Sequence, residues 1–291
     1  MKKNLLFTAL AATTLLFATS CQQDEVFVDG NEATVTFVVG TPEIATRAYS
    51  DGLTATKLQW AVYHDNNGVD NDTPVMRDGK HLTGEATLED GKASVNIQLA
   101  AGKGYNVLFW ADAYGKNEPN KPYDVNLAEK KLTITDYSTV KSNDESRDAF
   151  YCYRPITVGT ANTTETIILT RPFAQLNIGT NDLAIALADG IDVSKTGVTV
   201  SEVYNTLNFV DGTVSGLVED QVFALNTRPE AYSAENTDGE KFPVDGYDYL
   251  AMNYILVGAN KTVVDVEFSY GADAATAKTR TYTGIPVKAN Y

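Results

Sequence analysis

The sequence predicts an all-β protein of two β-sandwich domains, with one short helix in the second. Three observations predict it. Apolar residues recur at the strand period of two, as in Val35, Phe37 and Val39 or Ala93, Val95, Ile97 and Leu99. Turn dipeptides such as Asp90-Gly91 and Asp211-Gly212 punctuate these runs. No apolar stripe at helical spacing lasts beyond about three turns, whereas 21 Gly and 16 Tyr accompany abundant Val and Thr.

The first twenty residues stand apart. Lys2 and Lys3 precede an apolar run over 5–17, interrupted only by Thr, and Ala18, Thr19 and Ser20 lead into Cys21. The run is shorter than the roughly 20 residues a membrane-spanning helix needs, so 1–20 reads as an export signal. Small residues before a cysteine have the pattern of a lipobox, with Ala18 in place of the usual Leu and Cys21 as the acylated first residue of the mature chain. The other reading is a plain secretory signal that leaves Cys21 a free thiol. Residues 21–30 are polar and acidic apart from Val26, Phe27 and Val28, as suits a tether.

The first domain is expected over 31–170 and the second over 171–291. Residues 31–47 form a β-patterned strand that ends at Gly40-Thr41-Pro42 and is followed by a single basic residue, Arg47. Val35, Phe37 and Val39 share one face; Thr34, Thr36 and Val38 share the other. Residues 57–63 follow as a second strand, with Leu58, Trp60 and Val62 on one face. The polar stretch 64–74 is rich in Asp and Asn, but Gly68 and Met76 break the spacing of an EF-hand calcium loop; it reads as a hairpin loop turning at Asn67-Gly68. Strands follow at 93–99 and 105–111, then a proline-bearing loop at 116–123, then short strands at 132–134, 156–158 and 166–169.

Pro172 interrupts the pattern, which is why the boundary falls there. Ala174, Leu176 and Ile178 restart it. Residues 181–190 are the best short helix, with Asn181 or Asp182 as cap and Gly190 as stop. Strands are expected at 197–203, 206–210, 249–257 and 263–270, so the second domain has about five strands and a helix.

The chain is acidic. Its formal charge is −15, and loss of Lys2 and Lys3 with the leader makes it −17. Nucleic-acid binding, which depends on neutralising phosphates, is therefore not expected. Catalytic and metal chemistry are equally short of residues. There are two His, His64 and His81, both in loops. No Gly-x-Ser-x-Gly, zinc spacing or phosphate-cradling Gly-rich loop is present. Cys152 sits in the apolar run Phe150-Tyr151-Cys152-Tyr153 and reads as a buried inert thiol. No catalytic residue, metal ligand or cofactor is assigned. The one binding chemistry the residues offer is sugar stacking on Trp60, Trp110, Tyr114 and Tyr123. Trp60 is explained as core, and Trp110, which alternates against Tyr105, Val107 and Phe109, is the better platform for a surface lipoprotein that binds glycans.

The order of these features resembles the fimbrillin-like surface lipoproteins of Bacteroidetes, the subunits of type V pili. The residues that carry it are Cys21, the strand running to Arg47, the strand over 57–63, and Thr170 to Gly179 (TRPFAQLNIG). The resemblance implies transthyretin-like sandwiches and a lipid (palmitate) anchor on Cys21 in the outer membrane. It implies cutting between Arg47 and Ala48 by an arginine-specific surface protease, which would free the first strand and open a donor groove where Val35, Phe37 and Val39 had been. Its partners would be other pilus subunits, joined head to tail by strand exchange, in a fimbrium that serves adhesion. The family's donor is a C-terminal strand that continues beyond the equivalent of residues 284–291; either this sequence is truncated or the subunit does not donate, and a non-donating member would be a tip, anchor, terminator or non-polymerising surface lipoprotein.

Overall fold

The computed structural model describes residues 31–42, 49, 51–66, 72–135, 137–230, 239–260 and 262–289. The leader, the tether, Cys21, Asn67-Gly68, Arg47 and Ala48 lie outside the described residues. The first half contributes β1 (Glu32–Gly40), β2 (Lys57–His64), β3 (Met76–Arg77), β4 (Lys80–His81), β5 (Thr83–Thr87), β6 (Lys92–Ala100) and β7 (Gly104–Asp112). β8 (Tyr123–Asn126), β9 (Lys131–Ile134), β10 (Phe150–Thr157) and β11 (Thr163–Ile168) follow. Beyond Pro172 come β12 (Phe173–Thr180), α1 (Leu183–Ala188), β13 (Lys195–Asn208), β14 (Val214–Thr227), β15 (Asp248–Leu256), β16 (Thr262–Gly271) and β17 (Lys278–Val287). The chain is all-β, as its periodicity predicts.

Two sheets make the first sandwich, one ordered β11-β1-β6 and the other β10-β7-β2-β5. Their facing residues, among them Val35, Phe37, Val39, Leu58, Val62, Ile97, Leu99, Val107 and Phe109, form one closed core. In the second half, β12-β15 packs against a sheet ordered β17-β16-β13-β9-β8, with β14 on the other edge of β13. Leu176, Val198, Val200, Phe223, Ala251, Ile255, Val266 and Phe268 fill the core between them.

A third core joins these two. β7 is buried on both faces: Val107 and Phe109 point into the first core, while Leu108 and Trp110 point into a cluster with Tyr123, Leu132, Phe173, Leu207, Phe209, Tyr254 and Leu256. β15 is shared in the same way, Ala251 and Ile255 facing one core and Tyr254 and Leu256 the other. Strands with both faces covered lose the apolar-polar alternation that marks a half-exposed strand, and Tyr105 through Asp112 are all buried. Residues 123–134, sequence-wise in the first half, join the sheet of the second through the pairs Thr206↔Thr133 and Leu207↔Leu132.

Several elements differ from expectation. The loop expected over 116–123 ends in β8, whose Tyr123 is wholly buried. The strands expected at 197–203 and 206–210 are one strand, β13, which hairpins over Asp211-Gly212 into the unexpected β14. Glu202, at φ 54°, sits where β13 changes neighbours: its pairing with β16 ends at Val200 and that with β9 begins at Thr206. The residues that broke the apolar pattern are those at this junction. β17 was hidden for another reason, since eight of its ten residues are exposed. The helix is confirmed, with Gly190 at φ 75° beyond its end.

Candidate strand-exchange site

β1 is the central strand of its sheet. It runs antiparallel to β6 from Glu32↔Ala100 to Gly40↔Lys92, and parallel to β11 from Val35↔Thr163 to Gly40↔Ile168. The alternation read from the sequence is the alternation observed. Val35, Phe37 and Val39 are at most 1% exposed, whereas Thr34, Thr36 and Val38 reach the surface. The Phe37 ring meets Phe109 of the opposite sheet at 5.3 Å between centroids. Burying each of these three side chains is worth about 1.5 to 3 kcal/mol, and the ladders on both edges satisfy the backbone.

The exit from β1 is pinned. Leu169 N donates to Gly40 O at 2.9 Å and Thr41 N to Gly91 O at 2.9 Å. The next described residue is Tyr49, which is buried in the joining core with its ring edge-on to Tyr249 at 5.1 Å. Arg47 and Ala48 thus lie in sequence between two fixed points that belong to different cores. Tyr49 sits among acidic groups: after burial, Glu240 and Glu145 contribute to holding its phenol well above the ordinary value.

Just beyond β11 the sandwich is locked by a buried ion pair. Arg171 donates from Nε to Asp148 Oδ1 at 2.5 Å and from NH2 to Oδ2 at 2.7 Å, and its guanidinium lies 4.8 Å from the Phe150 ring. Burial pushes the Asp148 carboxyl up and Arg171 pulls it back; the guanidinium is in turn held above its ordinary value by the carboxylate, against its own desolvation. Phe150 belongs to the first core and Tyr254, 5.7 Å from the same guanidinium, to the joining core. No sequence motif announces this pair, although Arg171 lies in the stretch Thr170 to Gly179 that carries the resemblance.

The sugar-stacking platform is overturned. Trp110 does point away from Tyr105, Val107 and Phe109, but into the joining core, where it is 0% exposed and its Nε1 donates to Asp112 Oδ2 at 2.7 Å. Tyr123 is buried against it, with ring centroids 5.5 Å apart. Tyr114 is half-buried with its hydroxyl 2.7 Å from Ser146 Oγ. Trp60 lies partly buried against the first core, as expected. Alternation reveals that two residues face opposite ways, not that one of those ways is solvent.

The remaining candidates are structural. His81 donates from Nε2 to Val62 O at 3.0 Å, and burial holds its pKa below the ordinary value. Asp72 faces inward, its Oδ2 accepting from Asn106 Nδ2 at 2.9 Å and from the Tyr153 hydroxyl at 2.5 Å. No group of three or more His, Cys, Asp or Glu suited to a metal ion occurs among the described residues. Cys152 is half-buried, and burial pushes its thiol up. Burial also raises the Asp112 carboxyl to about 6, although Trp110 and the Tyr114 N–H donate to it.

A family model described as a family of unknown function, DUF6562, matches residues 24–291. No curated protein matches the sequence. Among solved structures the chain is similar to one from Bacteroides thetaiotaomicron described as polysaccharide-binding, at 13% identity and a TM-score of 0.48, covering 85% of this chain and 78% of that one. It is similar to a fimbrial assembly protein from Parabacteroides distasonis, at 13% and 0.41, covering 89% and 88%. A third is the fimbrial anchor protein Mfa2 from Porphyromonas gingivalis, at 10% and 0.42, covering 82% and 78%.

Proposed function

The chain belongs to the DUF6562 family, and from the geometry of β1 we propose that it is a structural or accessory subunit of a cell-surface pilus that exchanges its first strand. One observation carries the reading: β1 is a central strand that completes a core, yet it is first in the described fold, and its only covalent link to the rest runs through the segment that contains Arg47. A strand so placed is held to the rest by a single chain connection, and its departure leaves β6 and β11 each without a ladder partner. Its departure would expose two unpaired strand edges over an apolar floor, which is a template for a strand from another chain. Strand donation of this kind is head to tail, and it builds filaments instead of closed rings.

In this reading the chain is exported by the signal in 1–20 and acylated at Cys21, and it reaches the outer face of the outer membrane. An arginine-specific surface protease then cuts between Arg47 and Ala48. Tyr49 keeps the new terminus docked against Tyr249, while β1 and the lipid are left joined to each other and not to the sandwich. The exchange is confined to the β11-β1-β6 sheet of the first sandwich.

The test is limited digestion of residues 22–291 with an arginine-specific protease, followed by N-terminal sequencing and gel electrophoresis of unboiled product. A new terminus at Ala48, with loss of residues 22–47 to a competing strand, is the expected result. Resistance at Arg47 in the folded protein would make β1 an ordinary strand and end the strand-exchange reading.

A further inference from the structure

We propose that the slot held by β1 selects its occupant by an aromatic side chain, and that β17 of a second copy is not the strand that fills it. This rests on the strand-exchange reading above and deepens it by naming the chemistry of the partner.

The resident strand is a cast of the slot. Ala33 lies opposite Leu99; Val35 lies between Ile97 and Thr163; Val39 lies between Ala93 and Ile167. Phe37, between Val95 and Glu165, reaches Phe109 across the sandwich. The four inward positions therefore take a small residue, a β-branched residue, an aromatic ring and a β-branched residue. Protein interiors are packed to crystal density, so a strand without the ring leaves a cavity of phenyl size beneath Phe109. The outward positions are neutral. Thr34, Thr36 and Val38 stand among Ser94, Asn96, Gln98, Thr164 and Thr166, and Thr36 Oγ1 donates to Asn96 Oδ1 at 2.7 Å.

β17 is an edge strand open to exchange, being paired with β16 alone and largely exposed. It does not fit. With Thr281, Thr283, Ile285 and Val287 inward, nothing fills the space of the Phe37 ring. With Tyr282 in the third inward position, Lys278 and Arg280 take the first two and would carry charge into an apolar core, while Gly284 stands where Val39 was. In the first phase Pro286, at the place of Val38, offers no N–H to a central ladder. The pattern recurs only in part in β16, where Val266 and Phe268 match the second and third positions but Val264 and Tyr270 do not match the first and fourth, and that strand is held on both edges by β13 and β17. Among the described strands, neither β17 nor β16 thus offers the slot a free complementary strand.

The test uses the full chain cut by an arginine-specific protease and three synthetic peptides: residues 32–40, the same peptide with Phe37→Ala, and residues 278–287. Binding is read by displacement of fluorescent 32–40 peptide and by native mass spectrometry. Residues 32–40 should enter the slot, the Phe37→Ala peptide should bind at least about 100-fold more weakly, and residues 278–287 should not displace the probe. Equal binding of the Phe37→Ala peptide, or tight binding of residues 278–287, overturns the selectivity and leaves strand exchange standing. Failure to cut at Arg47, or failure of every peptide including 32–40 to enter the cut protein, overturns both.

Discussion

At the residue scale, the fold depends on a few side chains that face fully closed surroundings. Phe37 is 0% exposed and touches Phe109, so Phe37→Ala should destabilise the uncut protein by about 3 to 5 kcal/mol, read from a lower urea midpoint at unchanged slope. Arg171 is different in kind. Arg171→Met leaves Asp148 buried and uncompensated, and should cost about 3 to 5 kcal/mol, whereas Arg171→Met with Asp148→Leu should recover most of the loss; urea titration of the three variants checks the order. Asp112 gives a pH signature. Its folded pKa is raised from 3.8 to about 6 by burial, so the folded state holds the proton more tightly than the unfolded one. Its contribution is present below about pH 4 and is lost as pH rises through 6. Asp112→Asn cannot ionise, so relative to the native protein it should gain on the order of 2 kcal/mol between pH 4 and 7. A parallel pH dependence of the two proteins would refute this.

At the element scale, β13 is where local geometry is most constrained. Its register shifts between Thr196 and Val198, and a Cβ on Gly197 would lie 2.7 Å from the backbone oxygen of Phe223 on β14. The β13-β14 ladder leaves that oxygen no room to retreat. Gly197→Ala should therefore cost about 1 to 3 kcal/mol and loosen amide protection along β14, measurable by hydrogen exchange. β1 shows the contrasting case. Its alternation was legible because one face is solvent and the other core, and its pairing in the middle of a sheet was not, because neighbours far apart in sequence leave no mark on a strand's own residues.

At the scale of the whole molecule, the joining core ties the halves into one unit. Trp110, Tyr123 and Tyr63 come from the first half, and Phe173, Phe209, Tyr249 and Tyr254 from the second. Sharing so many large buried side chains predicts a single cooperative transition, with Trp110 fluorescence and far-ultraviolet circular dichroism unfolding at one denaturant midpoint. Separated midpoints would show that the halves are independent. Cutting at Arg47 should lower that common midpoint, because removal of β1 opens the first core while Tyr49 stays in the joining one.

By itself the sequence determined the all-β class, the inward face of β1, the helix before Gly190 and the interruption at Pro172. Each is set by side-chain periodicity or by a residue with restricted backbone freedom, and such signals are local. Only the tertiary structure decided that Trp110 faces a core instead of solvent, that β8 and β9 join the sheet of β13, and that Arg171 finds Asp148. These depend on which surfaces meet, and a pattern of two records that a strand has two faces without recording what covers them.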